Sequence, residues 1–268
     1  INTNVAAMNA TRILRTSTND LNKSLQRLSS GLRINSAADD AAGLAIAEGF
    51  RALARGSSVA SRNAQDGVSL VQTAEGALTE TANVLQRMRE LAIQAANGTN
   101  NDDNRGALDL EVRQLLGQID SIALDTEFNG IFVLSAAQTI TLQSGAQPSQ
   151  TLNVYVNGAK TNDLKVNNLS VSTVALAVSA ISTVDIALRS VNNLRASLGA
   201  IQNRLEFTIN TLSIQEENSS AAESAIRDAD IAVETIRFTR NQILVNAGTS
   251  VLAQANIVPQ SALQLLGK

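Results

Sequence analysis

The chain has no cysteine, no histidine and no tryptophan, and its 268 residues include only two prolines, two methionines and 2% aromatic residues. Without thiols there is no disulfide framework, no thiolate nucleophile, no cysteine zinc site and no iron–sulfur cluster. Without imidazole the commonest general base and metal ligand are missing. Carboxylates, lysines, hydroxyls and one tyrosine remain, and no cofactor is expected. The composition is nevertheless 44% hydrophobic. With so few rings, that core must be built from Ala, Leu, Ile and Val, which suits helices packed closely side by side.

The formal net charge is −3, so the chain lacks the polybasic footprint of a nucleic-acid binder. Lysine occurs only at positions 23, 160, 165 and 268, and every other basic residue is arginine. Arginine is favoured at protein interfaces, although lineage bias accounts for the excess equally well. The N-terminus is polar and shows no apolar signal-peptide core. The nearest approach to a membrane span, Val171 to Leu188, is interrupted by Ser, Thr and Asp185 and predicts a soluble helix, with no membrane insertion. Taken alone this suggests a cytosolic protein, unless export uses a route that needs no cleaved signal.

The two prolines are Pro148 and Pro259, so long helices can run without interruption. Apolar residues alternating at spacings of three and four support them. One stripe is Leu14, Thr18, Leu21, Leu25, Leu28 and Leu32. A second is Val71, Ala74, Leu78, Thr81, Leu85, Met88, Ala92 and Ala95. A third is Leu108, Val112, Leu115, Ile119 and Ile122. A fourth is Leu194, Leu198, Ile201, Leu205, Thr208 and Leu212. The last is Ile231, Thr235, Phe238, Gln242, Val245, Thr249 and Leu252. A helix over about 41–97 would be about 85 Å long.

The breaks are also legible. Gly31 is the expected cap of the first helix, and the Asp residues of 36–40 can cap the second. Residues 97–101 read as a turn, with Asp102 or Asp103 capping the third helix. Asn129-Gly130 is expected to end that helix, and Ser220-x-x-Glu223 reads as a capping box before the last. Between the helical halves, residues 139–143 and 151–156 alternate with period two, and Asn157-Gly158 comes next as a hairpin-turn signal. The expected fold is mainly α: an elongated helical rod of long antiparallel coiled-coil helices, with paired N- and C-terminal helices and a small central β-hairpin near 139–166. Two helices paired this way leave Ala6, Ala7, Ala10, Ile13, Ile236, Ile243 and Ala247 uncovered. Apolar surface of that kind predicts lateral association, and contacts that do not close yield helical filaments.

No phosphate-binding glycine loop, zinc-protease motif or nucleophile elbow occurs. The acidic pairs at 39/40, 102/103 and 216/217 are adjacent along helices or caps and do not face one another. An EF-hand loop starting at Asp102 would need Glu at 113, where Arg113 stands. No catalytic or metal site is expected.

The residues carry a resemblance. INTNVAAMNA at the start, the run Ser24 to Glu48, the run Arg62 to Leu78, the run Leu85 to Asn100 and Phe128-Asn129-Gly130 resemble bacterial flagellin. So do the runs Leu198 to Leu212, Ile226 to Ala232 and Asn241 to Asn256, and the closing VPQSALQLL. The resemblance covers residues 1–135 and 171–268, with the first residue slightly inside the family's usual start. Too few residues separate the halves for the variable outer domains of larger flagellins.

The resemblance implies a structural subunit, not an enzyme, that polymerises into the flagellar filament for swimming motility. It implies export unfolded by the flagellar type III route, which accounts for the missing signal peptide, and a secreted, extracellular location. The implied partners are further copies of the chain, an export chaperone, the cap and the hook-junction proteins. Residues 1–40 with 216–268 would form the discontinuous filament-core domain, lining a central channel. Its coiled-coil seam would use Leu14, Leu21, Leu25, Leu28, Ile231, Phe238, Val245 and Leu252. Residues 41–215 would form the helical rod domain. Residues 86–94 are similar to the segment contacted by Toll-like receptor 5, which implies Arg87, Leu91 and Glu111 as receptor contacts; the same segment lies between subunits in family filaments. The chain departs from the family pattern at Leu115 and at Leu205-Glu206-Phe207. A hook–filament junction protein is the alternative within the same assembly, and a cytoplasmic coiled-coil signalling module the alternative outside it.

Overall fold

The computed structural model describes residues 3–266, with side chains as far as residue 257. The side chains of the closing VPQSALQLL motif lie outside that range. The protein is mainly α. In chain order its elements are α1 (Val5–Ser30), α2 (Ala41–Ala96), α3 (Asp102–Asp125), β1 (Glu127–Phe128), β2 (Ile131–Phe132), β3 (Gln138–Gln143), β4 (Thr151–Val156), α4 (Val174–Arg227) and α5 (Ile231–Leu266). It divides into two compact units, Ile1–Leu53 with Glu217–Lys268, and Ala54–Glu216. The first division falls within α2, not at the polar link that precedes it.

The unit Ala54–Glu216 holds the main core. The stripe from Val71 to Ala95 on α2 is fully buried throughout, including Thr81, whose hydroxyl donates to the Ala77 carbonyl at 3.0 Å. It meets Val112 and Ile119 of α3, and Leu198, Ile201 and Leu205 of α4. Within this unit α2 and α4 run antiparallel: Arg89 Nε donates to Asp185 at 2.7 Å, and Arg195 lies 3.7 Å from Glu75. The first 18 residues or so of α4 are long and apolar enough to cross a membrane by composition. Ala177, Ala180, Val184, Ala187 and Val191 on that stretch are nonetheless buried in the core.

Strands β3 and β4 form an antiparallel hairpin with Gln138 opposite Val156 and Gln143 opposite Thr151. Leu152, Val154 and Val156 point into the core, whereas Tyr155 is exposed. The hairpin comes close to α2 where that helix carries small residues. A Cβ added at Gly56 would lie 2.7 Å from Ala146 Cβ, one added at Gly67 would lie 2.3 Å from Leu142, and Asn63 donates to the Gln143 carbonyl at 3.2 Å.

Four expectations about turns and caps need correction. Asn157-Gly158 is not the hairpin turn, since β3 and β4 are joined by residues 144–150, closed by Ser144 N–H to Gln150 O at 3.0 Å. Gly158 is instead packed against Asp163 and Ala136. The tight Asn-Gly turn is Asn129-Gly130, with φ of 51° and 79°. It joins β1 to β2 and does not end α3, which stops at Asp125. The paired left-handed residues are the signature of a type I′ turn. Asn101, not Asp102 or Asp103, caps α3 by accepting from Asn104 N–H at 2.8 Å, and the two aspartates occupy its first turn. Finally, α4 runs straight through Ser220 and Glu223. The chain breaks at 228–230, and Asp230 caps α5 by accepting from Ala232 and Val233 at 2.9 and 3.1 Å. Gly31 and Asp40 cap as expected. Gly31, with φ of 73°, donates to Arg27 O at 2.8 Å, and Asp40 accepts from Gly43 N–H at 2.8 Å.

Candidate functional site

The unit formed by the two chain ends is built from the pairing of α1 with α5. The helices are antiparallel: Asn4 donates to the Ala255 carbonyl at 2.9 Å, Leu14 faces Gly248, and Arg27 lies 3.8 Å from Glu234. The covered positions that repeat along α1 are Ala7, Ala10, Leu14, Ser17, Leu21, Ser24 and Leu28, with Thr18 and Arg27 half-buried beside them. On α5 they are Glu234, Phe238, Asn241, Val245, Gly248, Leu252 and Ala255, with Gln242 half-buried beside them. Both sets keep the three–four spacing of a coiled coil.

Of the residues expected on the seam, Leu14, Leu21, Leu28, Phe238, Val245 and Leu252 lie on it. Leu25 and Ile231 do not, being 53% and 49% exposed. Their places in the heptad are taken by neighbours one residue earlier or three later. On α1 the alternate layers hold Ser17 and Ser24, and on α5 they hold Glu234, Asn241 and Gly248. Small side chains let the backbones approach closely. A Cβ at Gly248 would stand 3.2 Å from Leu14 Cδ1. Reading leucines as the stripe selected the outer face at these layers. Ala7 and Ala10, expected to be uncovered, are half-buried for the same reason.

The charged layer is the part that sequence reading missed. The Glu234 side chain is 6% exposed and lies between Arg27 at 3.8 Å and Arg237 at 3.3 Å. A charge this buried is tolerated only when it is paired. Below it, the breaks between α1 and α2 and between α4 and α5 lie side by side. Leu32 bridges Asp228, Arg33 N–H donates to Arg227 O at 2.6 Å, and Ala229 N–H donates to Gly31 O at 2.9 Å. Arg51 and Arg227 then alternate with Glu48 and Glu223: Arg51–Glu223 is 2.6 Å, Arg51–Glu48 is 2.8 Å and Arg227–Glu48 is 3.0 Å. Asp39 locks the link to α1. Lys23 sits 2.8 Å from it, and Ser36 and Asn35 N–H donate to its other oxygen at 3.1 and 3.3 Å. The Lys23 ammonium, and then these backbone donors, hold its carboxyl far below the usual range against the opposing effect of burial.

The sides of α1 and α5 turned away from the seam mix charged residues, among them Arg12, Arg15, Asp20, Arg237 and Arg240, with large apolar ones. Val5, Met8, Ile13, Ile236, Ile243, Leu244 and Val251 are all exposed. Among the described residues, Ile34 and Ala47 are the only fully buried hydrophobic side chains in this unit. The unit thus presents more large apolar side chains than it buries.

A second candidate surface lies on α2 and α3 in the other unit. Arg87 donates to Glu111 from Nε and a terminal nitrogen at 3.1 and 2.9 Å, and to Glu90 at 3.2 Å. These carboxylates raise the pKa of the guanidinium, with the Glu111 hydrogen bonds contributing most. Arg87 and Glu111 are about half exposed and available to a partner. Leu91 is not: it is 1% exposed and belongs to the core, so it supports that surface from beneath. Leu115, where the chain departs from the expected pattern, packs partly buried against the same core.

Two carboxylates on α3 hold the irregular segment 157–173 in the same way. Asp120 accepts from the Thr161 N–H and hydroxyl, both at 2.9 Å. Asp109 accepts from the Val171 N–H at 2.8 Å and the Ser170 hydroxyl at 2.7 Å, with Arg113 at 2.9 Å. Burial alone would raise the Asp109 pKa, but these donors together bring it below the ordinary carboxylate value. Both aspartates thus pin the 157–173 segment to α3.

These surfaces fit a protein whose work is done by contact. A family model of the bacterial flagellin N-terminal helical region matches residues 1–139, and one of the bacterial flagellin C-terminal helical region matches residues 181–266. A flagellin of Halalkalibacterium halodurans is 47% identical over 99% of both chains. The flagellar filament 31.3 kDa core protein of Treponema maltophilum is 41% identical over 99% of both. A solved structure of a putative flagellar hook-associated protein from Vibrio parahaemolyticus shares the fold, with a TM-score of 0.54 at 14% identity over 71% of this chain and 98% of that one. With the helical regions at both ends matched, and identity to named flagellins extending through the central hairpin, the chain belongs to the bacterial flagellin family.

Proposed function

We propose that this protein is the repeating subunit of a bacterial flagellar filament, assembling with further copies of itself outside the cell. The observation that carries the reading is the unit of the paired termini, which leaves Val5, Met8 and Ile13 near the start of α1 and Ile236, Ile243, Leu244 and Val251 along α5 open to solvent. Large apolar side chains gathered on open surface mark a site that another molecule covers, and heterologous contacts between identical subunits generate open helical polymers. Torque would pass through helix packing, with no chemical step. Export as an unfolded chain by the flagellar type III route is supported by the absence of cysteine, because a thiol-free chain cannot cross-link in transit. Chaperone, cap and hook-junction proteins belong to the same proposal.

Recognition by Toll-like receptor 5 is supported by the half-exposed Arg87–Glu111 pair. The receptor would read these two charges, with Leu91 shaping the surface from within. Replacing both charges by alanine should weaken receptor signalling while leaving the fold intact.

Purified protein seeded with filament fragments and viewed by electron microscopy tests the main reading. Long filaments are the expected outcome. Soluble dimers that never elongate would instead support a coiled-coil signalling module.

A further inference from the structure

The chain contains three Asn-Gly dipeptides, at 97–98, 129–130 and 157–158. In each, the glycine nitrogen can in principle attack the asparagine side-chain amide. From the geometry we infer that Asn97 is a spontaneous modification site, converting to aspartate and isoaspartate in the folded protein well ahead of the other two.

The reaction needs an unobstructed nucleophile, an electrophile whose developing negative charge is stabilised, and a backbone free to rotate. Asn97, Gly98 and Thr99 are all exposed in the turn between α2 and α3. A Cβ added at Gly98 would meet nothing within 4 Å, and the backbone that must move is held by the short-range turn contacts Asn97 N–H to Gln94 O and Asn100 N–H to Asn97 O, both 3.2 Å. Among the described residues, the Gly98 N–H makes no hydrogen bond. The Asn97 side-chain oxygen accepts from the Thr99 N–H at 3.3 Å. That donor is aimed at the oxygen on which negative charge develops when Cγ is attacked, which is the arrangement of an oxyanion hole.

The other two sites lack this combination. Asn129 is left-handed, with φ of 51°. In that region ψ is about +47°, which sets the next nitrogen roughly anti to the side chain. Rotating it toward the side chain must break the pairing of Phe128 with Ile131. At 157–158 the glycine is buried. A Cβ there would lie 2.2 Å from Asp163 and 3.3 Å from the Ala136 backbone, and the following Ala159 N–H is tied to Leu134 O at 3.0 Å.

The step balances with water as its only co-reactant. The Gly98 nitrogen forms a bond to Asn97 Cγ, the bond from Cγ to the side-chain nitrogen breaks, and that nitrogen leaves as ammonia with the Gly98 proton. Water then opens the five-membered imide at either carbonyl. The product carries a carboxylate just past the C-terminus of α2, where the helix dipole disfavours negative charge.

Ageing the folded protein in mildly alkaline, heavy-oxygen water, followed by peptide mapping, tests this. The peptide holding Asn97 should gain the aspartate mass with one heavy oxygen and split into two chromatographic forms. Peptides holding Asn129 and Asn157 should lag by about tenfold or more, a barrier difference of at least about 1.4 kcal/mol. In denaturant the three rates should converge. G98A, whose fold is checked by its thermal transition, should slow the reaction at Asn97 by a similar factor. Faster reaction at Asn129 or Asn157 in the folded protein, or the same rate ratio in denaturant, would overturn the assignment.

Discussion

Asp109 shows how much one side chain can fix here. It is buried, carries a negative charge, and ties two donors of the 157–173 segment to α3 while accepting a third from Arg113 on its own helix. Nothing in its sequence context marks it out, because its partners Ser170 and Val171 lie more than sixty residues away. Asp109→Asn keeps the shape but loses charge-assisted bonds, and should lower stability at neutral pH by about 1–3 kcal/mol. Its folded pKa is depressed. Its stabilisation is therefore fully present above the unfolded carboxylate value of about 3.9 and is lost as pH falls through the lower folded value. Denaturant midpoints for the two proteins should differ at neutral pH and converge in acid. A gap that persists in acid would assign the effect to packing instead. The same limit of sequence reading applies at Glu234, Ser17 and Ser24. Each occupies a seam layer that a search for leucines passes over, since polar residues enter a seam only when a cross-helix partner satisfies them or when small size permits close approach.

Among the elements, the helices, the Gly31 and Asp40 caps and the 97–101 turn were legible, whereas the turns around the strands and the start of the last helix were not. The stripe from Val71 to Ala95 is buried as its spacing predicts, because the unit Ala54–Glu216 surrounds α2 closely enough for apolar periodicity to decide the facing side. The turns depend on what arrives from elsewhere. Asn129-Gly130 and Asn157-Gly158 carry the same local signal, yet only the first is followed at once by a strand that folds back. Ser220-x-x-Glu223 satisfies a capping pattern, but continuing α4 lets Glu223 reach Arg51. The glycines of the long helices separate on the same basis. Gly56 lies where a Cβ would press on Ala146, including its backbone at 3.3 Å, whereas nothing lies within 4 Å of a Cβ at Gly199. Gly56→Ala should therefore push the 144–150 loop away, costing about 1–3 kcal/mol through overpacking, with faster hydrogen exchange in that loop. Gly199→Ala should stabilise by about 0.4–1 kcal/mol through helix propensity and the unfolded state. If both variants shift the thermal transition in the same direction, the proximity of hairpin and helix at Gly56 is not what sets that residue.

For the chain as a whole, apolar content is divided unequally. One unit encloses nearly all of the fully buried hydrophobic side chains, while the unit of the paired termini leaves Ile13, Ile236, Ile243 and Val251 open. That division answers what composition alone left undecided, namely where a chain 44% hydrophobic and poor in rings puts its apolar surface. If neighbouring copies cover the open face, a charge placed there is harmless to the isolated chain but must be desolvated on assembly. Ile243 is the position to test, at 61% exposed and away from the α1–α5 seam. Ile243→Asp should leave the thermal unfolding of the Ala54–Glu216 unit unchanged and abolish or sharply slow elongation from filament seeds, followed by light scattering and electron microscopy. Leu252→Asp, within the seam, should also block elongation, but by separating α1 from α5, which hydrogen exchange in residues 5–30 would register. Loss of elongation in Ile243→Asp with normal protection of α1 would assign the open face to subunit contact. Normal filaments from Ile243→Asp would mean that this part of the face stays solvated in the assembly, and that the contacts between subunits lie elsewhere on the chain.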